Sequence, residues 1–205
     1  MRVPPDPTPK SKALIELGKL AYLDPRLSAR VILNMELEEK DRLLMIGFAI
    51  ALGAFGFALT SAIAPTPEAG SEGVPSVRRG GLPAYFVFIL MGFAQYWIQS
   101  GAVWVLGRSF GGKADLDESK TAVAWWSVVT SPLQAIQGLA LVGAPQALGL
   151  TFVLVTGALV LWTLASFVAE AHRFESSGKT MLGILGILLG VAFVLALFLG
   201  GSLQR

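Results

Sequence analysis

Polar residues within otherwise apolar stretches of the sequence are the first candidates for chemistry. Gln95 and Gln99 lie one helical turn apart in one such stretch, and Thr130-Ser131-Pro132 precedes Gln134 and Gln137 in the next. A proline inside a helix kinks it and leaves a backbone carbonyl without its usual donor. One interpretation is a polar seam for a ligand, an ion or a lipid headgroup; the other, which we favour, is hydrogen bonding between helices. The candidate seam comprises Gln95, Gln99, Ser131, Pro132, Gln134 and Gln137.

The residue sets that most enzymes and metal sites use are missing from the sequence. It has no cysteine and one histidine, His172, which is too few for a conventional metal site. No Ser-His-Asp arrangement and no pair of carboxylates within a membrane segment is evident. We interpret His172 as a polar cap beside the membrane rather than a pH-sensitive switch. We therefore expect no catalytic, metal-binding or cofactor-binding residues, and no enzymatic activity.

One segment imitates a nucleotide-binding motif. Gly107–Lys113 matches G-x-x-x-x-G-K, the first part of a phosphate-binding loop. Ala114 follows where that loop needs Ser or Thr to bind magnesium, and the preceding residues predict a membrane helix instead of a strand. We therefore interpret the segment as a helix-terminating turn. The net charge of only +2 also argues against nucleic acid as a partner.

The composition is typical of an integral membrane protein. Hydrophobic residues make up 54% of the sequence and charged residues 15%, whereas soluble domains carry about 25% charged residues. The apolar stretches predict an all-α integral membrane domain at residues 43–205, a bundle of five transmembrane helices of about 20 residues each. The third helix is the least apolar. The predicted spans are about 43–64, 82–106, 121–142, 146–169 and 181–199.

The N-terminal region, residues 1–42, is predicted to be a cytoplasmic tail with amphipathic helices. Met1–Lys10 is rich in proline. At helical spacing, one side of Ser11–Leu23 carries Lys12, Glu16, Lys19 and Leu23, and the other carries Leu14, Leu17 and Ala21. This pattern fits either an interfacial helix or one packed under the bundle. Asp24-Pro25 predicts the start of a second helix. The charged run Glu36–Arg42 is interpreted as a solvated face before the membrane.

Basic residues in the connections predict the orientation. With five crossings, the segments on the N-terminal side hold 13 of the 16 Lys and Arg residues. The positive-inside rule then favours a cytoplasmic N-terminus and a periplasmic C-terminus in a bacterial inner membrane. The spans carry no clear charge, which argues against a pump. Gly183, Gly186 and Gly190 form a stripe that would let the fifth span approach another helix, another protein or a second copy.

Three stretches together resemble the Yip family (Ypt-interacting-protein domain), in its bacterial branch. The resemblance implies a five-helix membrane fold with a cytoplasmic N-terminal region. Eukaryotic members contact small GTPases and membrane proteins of the secretory pathway, which bacteria lack, so those partners do not carry over. The eukaryotic acidic-aromatic signature is not evident here, and the family supplies no catalytic residues. The stretches are Asp24–Leu33, Gly111–Trp126 continuing to Gln134 and Gln137, and Phe167–His172 followed by Ser177-Gly178-Lys179.

Three functions are compatible with these features. The leading hypothesis is a non-enzymatic protein that organises or shapes the bilayer or scaffolds membrane partners. The second is a passive facilitator, channel or lipid-moving protein that uses the polar seam. The third is an accessory or assembly subunit of a larger membrane complex.

Overall fold

The computed structural model describes residues 10–35, 37–63 and 81–202, which form seven helices and no strand. The Pro-rich tail predicted before Lys10 lies outside the described residues, as do residues 64–80 between the first two predicted spans. Each of the five predicted spans corresponds to one long helix, α3 to α7. The helices are α1 (Lys10–Leu23), α2 (Pro25–Leu33), α3 (Glu39–Ile63), α4 (Gly81–Ser109), α5 (Leu116–Gly143), α6 (Gln146–Ala171) and α7 (Ser177–Ser202).

Four of the described helices are long and apolar enough to cross a membrane: α3, α4 from Tyr85 onward, α6 and α7. The shortest of these stretches has 21 residues, which at about 1.5 Å per residue reaches across a hydrocarbon core of about 30 Å. The fifth long helix, α5, has 28 residues but begins with a polar segment. The prediction of an all-helical membrane protein is therefore confirmed.

Helices α3 and α5 run side by side in the same direction. Near their starts, Arg42 Nη2 lies 3.2 Å from Asp117 Oδ1. Further along, a β-carbon on Gly56 would lie 2.6 Å from that of Ala135. Near their ends, Gly138 faces the Thr60 hydroxyl. The sequence separation stays nearly constant between these contacts, so the two helices are parallel over most of their length.

The other neighbours are antiparallel. Gly53 of α3 faces Phe88 of α4, and the earlier Ile50 of α3 faces the later Gly92 of α4. The residue numbers rise along one helix as they fall along the other. Between α5 and α6, Trp126 Nε1 donates to the Val160 carbonyl at 3.1 Å, and Gly149 packs close to Ala140. Helix α7 turns back along α6. The starts of α3, α5 and α7 therefore meet the ends of α4 and α6, and we call this the polar end of the bundle.

The buried core lies at the polar end. It brings α1 and α2 against the first half of α5 and the last turns of α6. Trp125 Nε1 donates to Ser28 Oγ at 3.0 Å, and the Tyr22 hydroxyl donates to the Val129 carbonyl. The polar first half of α5 therefore lies inside the protein, because other helices cover it. The core residues include Leu17, Ala21, Ala29, Ile32, Ala122, Trp125, Trp126, Val129, Phe167 and Ala171.

Helix α1 packs under the bundle, the second of the two interpretations left open by its sequence. Leu17 and Ala21 are buried, whereas Glu16 and Lys19 on the other side are exposed and form an ion pair. The predicted start of α2 is also found. The Asp24 carboxylate accepts a hydrogen bond from the Leu27 amide at 3.0 Å, and proline occupies the first turn.

Pro132 lies inside α5, which continues through it to Gly143. Proline has no amide hydrogen for the Val128 carbonyl one turn earlier. The neighbouring Ser131 hydroxyl donates to that carbonyl at 3.0 Å, and Ser131 is only 3% exposed. The side chain next to the proline therefore replaces the missing backbone hydrogen bond and lets the helix continue.

Candidate functional site

Four residues of the candidate seam line one cavity. It lies between α3, α4 and α5 and has a volume of about 170 Å³. Hydroxyls of Ser127 and Thr130, which the sequence interpretation did not include, also line it. Ser127 lies four residues before Ser131, and Thr130 four residues before Gln134, so helical spacing on α5 could have indicated both. The four seam residues in the cavity are Gln95, Gln99, Ser131 and Gln134.

The other two seam residues lie elsewhere. Gln137 Nε2 donates to the Thr156 hydroxyl and lies 3.5 Å from the Val153 carbonyl, so it joins α5 to α6. Pro132 is exposed on the surface of α5. The six residues thus divide between one polar cavity and one contact between helices.

The hydroxyls of Ser127 and Thr130 already donate hydrogen bonds to backbone carbonyls of their own helix, α5. Ser127 Oγ donates to Val123 at 2.8 Å, and Thr130 Oγ1 donates to Trp126 at 2.8 Å. The side-chain amides of Gln95 and Gln134 form no hydrogen bond with any other described residue. The amides are therefore the groups through which this cavity could bind a polar solute or water.

A cluster of four charges joins the starts of α3 and α5 at the polar end. Arg42 is only 7% exposed, and its Nη2 lies 2.8 Å from Glu39 Oε2. Lys120 Nζ is 3.4 Å from the same carboxylate and 3.5 Å from Asp117 Oδ1, and it lies 4.7 Å from the centre of the Trp97 ring. Two cations and two carboxylates balance, as partly buried charges require. The interpretation of the run before Leu43 as a solvated face is wrong for Arg42.

Glu170 fixes α2 to the end of α6. Its two carboxylate oxygens accept hydrogen bonds from Arg26 Nε at 3.1 Å and from Arg30 Nε at 2.7 Å. Arg26 also donates to the backbone carbonyls of Phe174 at 2.8 Å and Glu175 at 2.9 Å. These charge-assisted contacts are among the stronger hydrogen bonds in proteins. The N-terminal region is therefore firmly attached to the connection between α6 and α7.

His172 is the C-cap residue of α6, and its side chain is buried at the polar end. Its Nε2 lies 3.0 Å from the Val103 carbonyl, and burial lowers the pKa of the imidazole below its ordinary value of 6.5. A β-carbon on Gly107 or on Gly112 would lie 2.2 Å from a ring nitrogen. The glycines that imitate a phosphate-binding loop therefore make room for this ring. Gly111, at φ +84°, ends α4 as predicted.

An exposed apolar stripe runs along α2 and the residues that flank it, from the last residue of α1 to the turn after α2. Leu23, Leu27, Val31 and Met35 follow one another at intervals of four residues and are between 36% and 84% exposed. Buried Ala29 and Ile32 lie on the opposite side of α2, which packs on the bundle. We call these four residues the outer stripe, and its position leaves it available to the membrane interface.

The predicted glycine stripe of α7 is exposed. A β-carbon on Gly183, Gly186 or Gly190 would meet nothing within 4 Å. The stripe therefore makes no close approach to another helix within the described part of the chain.

Comparison with known families supports the resemblance seen in the sequence. The Yip1 domain matches residues 20–199, which run from the last turn of α1 almost to the end of α7. Comparison with curated proteins and with solved structures gives no significant match. The matched region includes Glu170 with its two arginine partners, the buried His172 and every helix of the bundle. Since the match covers most of its length, the chain belongs to the Yip1-domain family.

Proposed function

We propose that this Yip1-domain protein is non-enzymatic and shapes or organises the bilayer around it. The observation that carries the proposal is the outer stripe, held at one end of the bundle by the contacts of Glu170 with α2. An apolar helix face at the interface inserts into the boundary between headgroups and acyl chains. The added volume enters one leaflet, and such asymmetry favours curvature.

The distribution of mass in the bundle supports the same proposal. Helices α1 and α2 add two elements at the polar end, where the buried core also lies. The opposite ends of α4 and α7 present exposed leucine, valine and phenylalanine side chains. A molecule that is wider in one leaflet than in the other disturbs the packing of the lipids around it.

We further propose five crossings, with the N-terminus in the cytoplasm and the C-terminus in the periplasm of a bacterial inner membrane. Support comes from α5, which follows α3 in parallel from Asp117 to Gly138. If α3, with 25 residues, crosses the bilayer, its parallel neighbour α5, with 28 residues, is long enough to cross with it. The preponderance of Lys and Arg in the connections at the polar end supports the orientation.

Single cysteines test the crossing count, because the chain has no cysteine of its own. Lys113→Cys reports on the connection before α5, and Gln146→Cys on the exposed start of α6. In spheroplasts, a membrane-impermeant maleimide should label Q146C and leave K113C unlabelled until the membrane is permeabilised. Labelling of both from the same side would contradict a crossing by α5.

Proteoliposomes test the shaping activity. We expect the protein to reduce vesicle diameter or form tubules in electron cryomicroscopy as its ratio to lipid increases. The double variant Leu27→Glu/Val31→Glu should lose this effect, because the charged side chains oppose insertion of the outer stripe. The matched variant Leu27→Met/Val31→Ile keeps the stripe apolar and should retain it. Vesicles that stay the size of empty ones with the unaltered protein would contradict the proposal.

A second candidate function, a passive facilitator, is favoured by the cavity that Gln95 and Gln134 line. It predicts that proteoliposomes admit a small polar solute faster than empty vesicles. Gln95→Leu/Gln134→Leu should abolish this flux while vesicle shaping persists. Equal flux into both kinds of vesicle would exclude the facilitator.

Partner binding is the third candidate, in which the protein scaffolds or assembles a membrane complex. Gly183, Gly186 and Gly190 would offer a contact surface on α7 to another protein or a second copy. Crosslinking of Gly190→Cys in native membranes tests it. A crosslinked product supports the contact, and a chain that stays monomeric opposes it.

A further inference from the structure

A long apolar groove separates α4 from α7 and opens toward the surrounding membrane. Its floor is formed by α5 and α6, and its volume is about 740 Å³. This lies within the roughly 300–1,000 Å³ that small-molecule sites occupy. Below its rim the groove is lined by apolar side chains and glycine, with Gln99 as the exception at its inner end.

The depth of the groove matches one leaflet of a bilayer. Its wall on α4 extends from Gln99 to Phe110, and its wall on α7 from Thr180 to Val191. Each wall covers about 17 Å of helix, and half of a hydrocarbon core of about 30 Å is about 15 Å. The groove therefore has the length of the acyl chains of one leaflet and ends near the midplane.

The rim carries two opposite charges, one in the connection before α7 and one in the first turn of α7. Glu175 and Lys179 border the groove together with Ser176 and Thr180. Within the described part of the chain, neither charged side chain forms an ion pair, whereas Glu118, Glu170 and Glu39 nearby all do. The rim also lies at the start of α7, whose N-terminus favours an anionic group.

We propose that this groove binds a phosphatidylethanolamine molecule from the adjacent leaflet. Lys179 and the first turn of α7 would hold the phosphate, and the Glu175 carboxylate would accept hydrogen bonds from the primary ammonium. A phosphatidylcholine headgroup has no N–H to donate to Glu175. A phosphatidylglycerol headgroup brings a net negative charge close to that carboxylate. The rim therefore favours the ethanolamine headgroup over both.

Native mass spectrometry of the full chain in mild detergent tests the proposal. The protein is incubated with phosphatidylethanolamine, phosphatidylcholine and phosphatidylglycerol of equal acyl chains. We expect the ethanolamine adduct to dominate. Lys179→Gln should weaken all three adducts about tenfold, as expected for one charge-assisted hydrogen bond. Glu175→Gln should remove the preference between headgroups. Lys113→Gln, which removes an exposed lysine that does not line the groove, should change nothing.

Two glycines of α7 provide a matched test of the acyl site. Gly183 borders the groove and Gly186 does not, yet a β-carbon would meet nothing within 4 Å at either position. Gly183→Leu should fill the groove and lower all three adducts by about tenfold or more, whereas Gly186→Leu should bind as the unaltered protein does.

Equal adducts for the three headgroups would overturn the proposal, as would equal binding by the two glycine variants. If Gly183→Leu fails to fold, as judged by size-exclusion chromatography, the charge variants decide. A Glu175→Gln protein that keeps its preference for ethanolamine then overturns the proposal.

Discussion

The imidazole of His172 occupies the space that a side chain on Gly107 would need, since a β-carbon there would lie 2.2 Å from Nε2. The contact joins the end of α4 to the end of α6. A β-carbon on Gly112, in the connection after α4, would lie as close to Nδ1 of the same ring. The ring is thus held between two glycines. The backbone carbonyl of His172 accepts a hydrogen bond from the Lys113 amide at 3.2 Å.

Gly107→Ala should destabilise the protein. The methyl group would overlap the imidazole, and overpacking of this kind costs about 1–3 kcal/mol. We expect the midpoint of thermal unfolding in detergent to fall by several degrees. Gly101→Ala is the matched control, because a β-carbon there meets nothing within 4 Å on the same helix. It should leave the midpoint unchanged or raise it, since alanine favours helix. Equal effects of the two substitutions would contradict the contact.

Acidification should weaken the folded state through His172. Burial lowers the pKa of the imidazole in the folded protein, whereas in the unfolded chain it stays near 6.5. Between the two values the unfolded chain binds more protons, so its population rises as the pH falls. The stability that the neutral ring provides is complete above about pH 6.5 and is lost as the pH falls through the lowered pKa.

The measurement is the unfolding midpoint at several pH values from 7.5 to 5, for the unaltered protein and for His172→Gln. His172 is the one histidine of the chain, so the difference between the two curves isolates its contribution. We expect the unaltered protein to lose more stability on acidification. Parallel curves would show that the ring does not titrate with unfolding.

Periodicity and hydropathy predicted the helices well, because each depends on residues close in sequence. Asp24-Pro25 marked the start of α2, and the apolar side of α1 that helical spacing predicted, with Leu17 and Ala21, is the side that the structure buries. The polar start of α5 could be seen in the sequence, but its cover by α1 and α2 could not. Average hydropathy does not reveal which side of a helix another helix covers.

The pairing of charges could not be predicted, because it joins residues far apart in sequence. Arg42 and Asp117 are separated by 75 residues, and Arg30 and Glu170 by 140. Either arginine, considered by itself, fits a solvated face. The seam shows the same limit: Gln134 and Gln137 are neighbours on one helix, yet one faces the cavity and the other faces α6.

Removal of the Glu170 carboxylate should loosen α2. In Glu170→Gln, Arg30 loses its ion pair at 2.7 Å, while Arg26 keeps its bonds to the backbone carbonyls of Phe174 and Glu175. We expect amide hydrogen exchange in residues 25–33 to rise several-fold, because α2 loses the charge-assisted hydrogen bonds that Arg26 and Arg30 both make to this carboxylate. Glu16→Gln breaks an ion pair whose side chains are both more than 60% exposed, and it should have little effect. Unchanged exchange in Glu170→Gln would show that packing alone holds α2.

Ser131 and Pro132 should be coupled in stability. Ser131→Ala leaves the Val128 carbonyl without the hydroxyl that replaces the missing backbone donor, at a cost of about 1–3 kcal/mol for a buried unsatisfied group. With Pro132→Ala in place, residue 132 has its own amide hydrogen, and that amide can bond the same carbonyl. The serine substitution should then cost less than half as much.

A double-mutant cycle of unfolding free energies measures this coupling. Thr130→Ala is a useful comparison, because the Thr130 hydroxyl donates to the Trp126 carbonyl at 2.8 Å. That carbonyl also has the amide of residue 130 as its ordinary helical donor, so its bonding does not depend on the proline. Thr130→Ala should therefore cost the same with proline or alanine at position 132. If Ser131→Ala is equally insensitive to position 132, its hydroxyl does not act as the substitute for the absent amide.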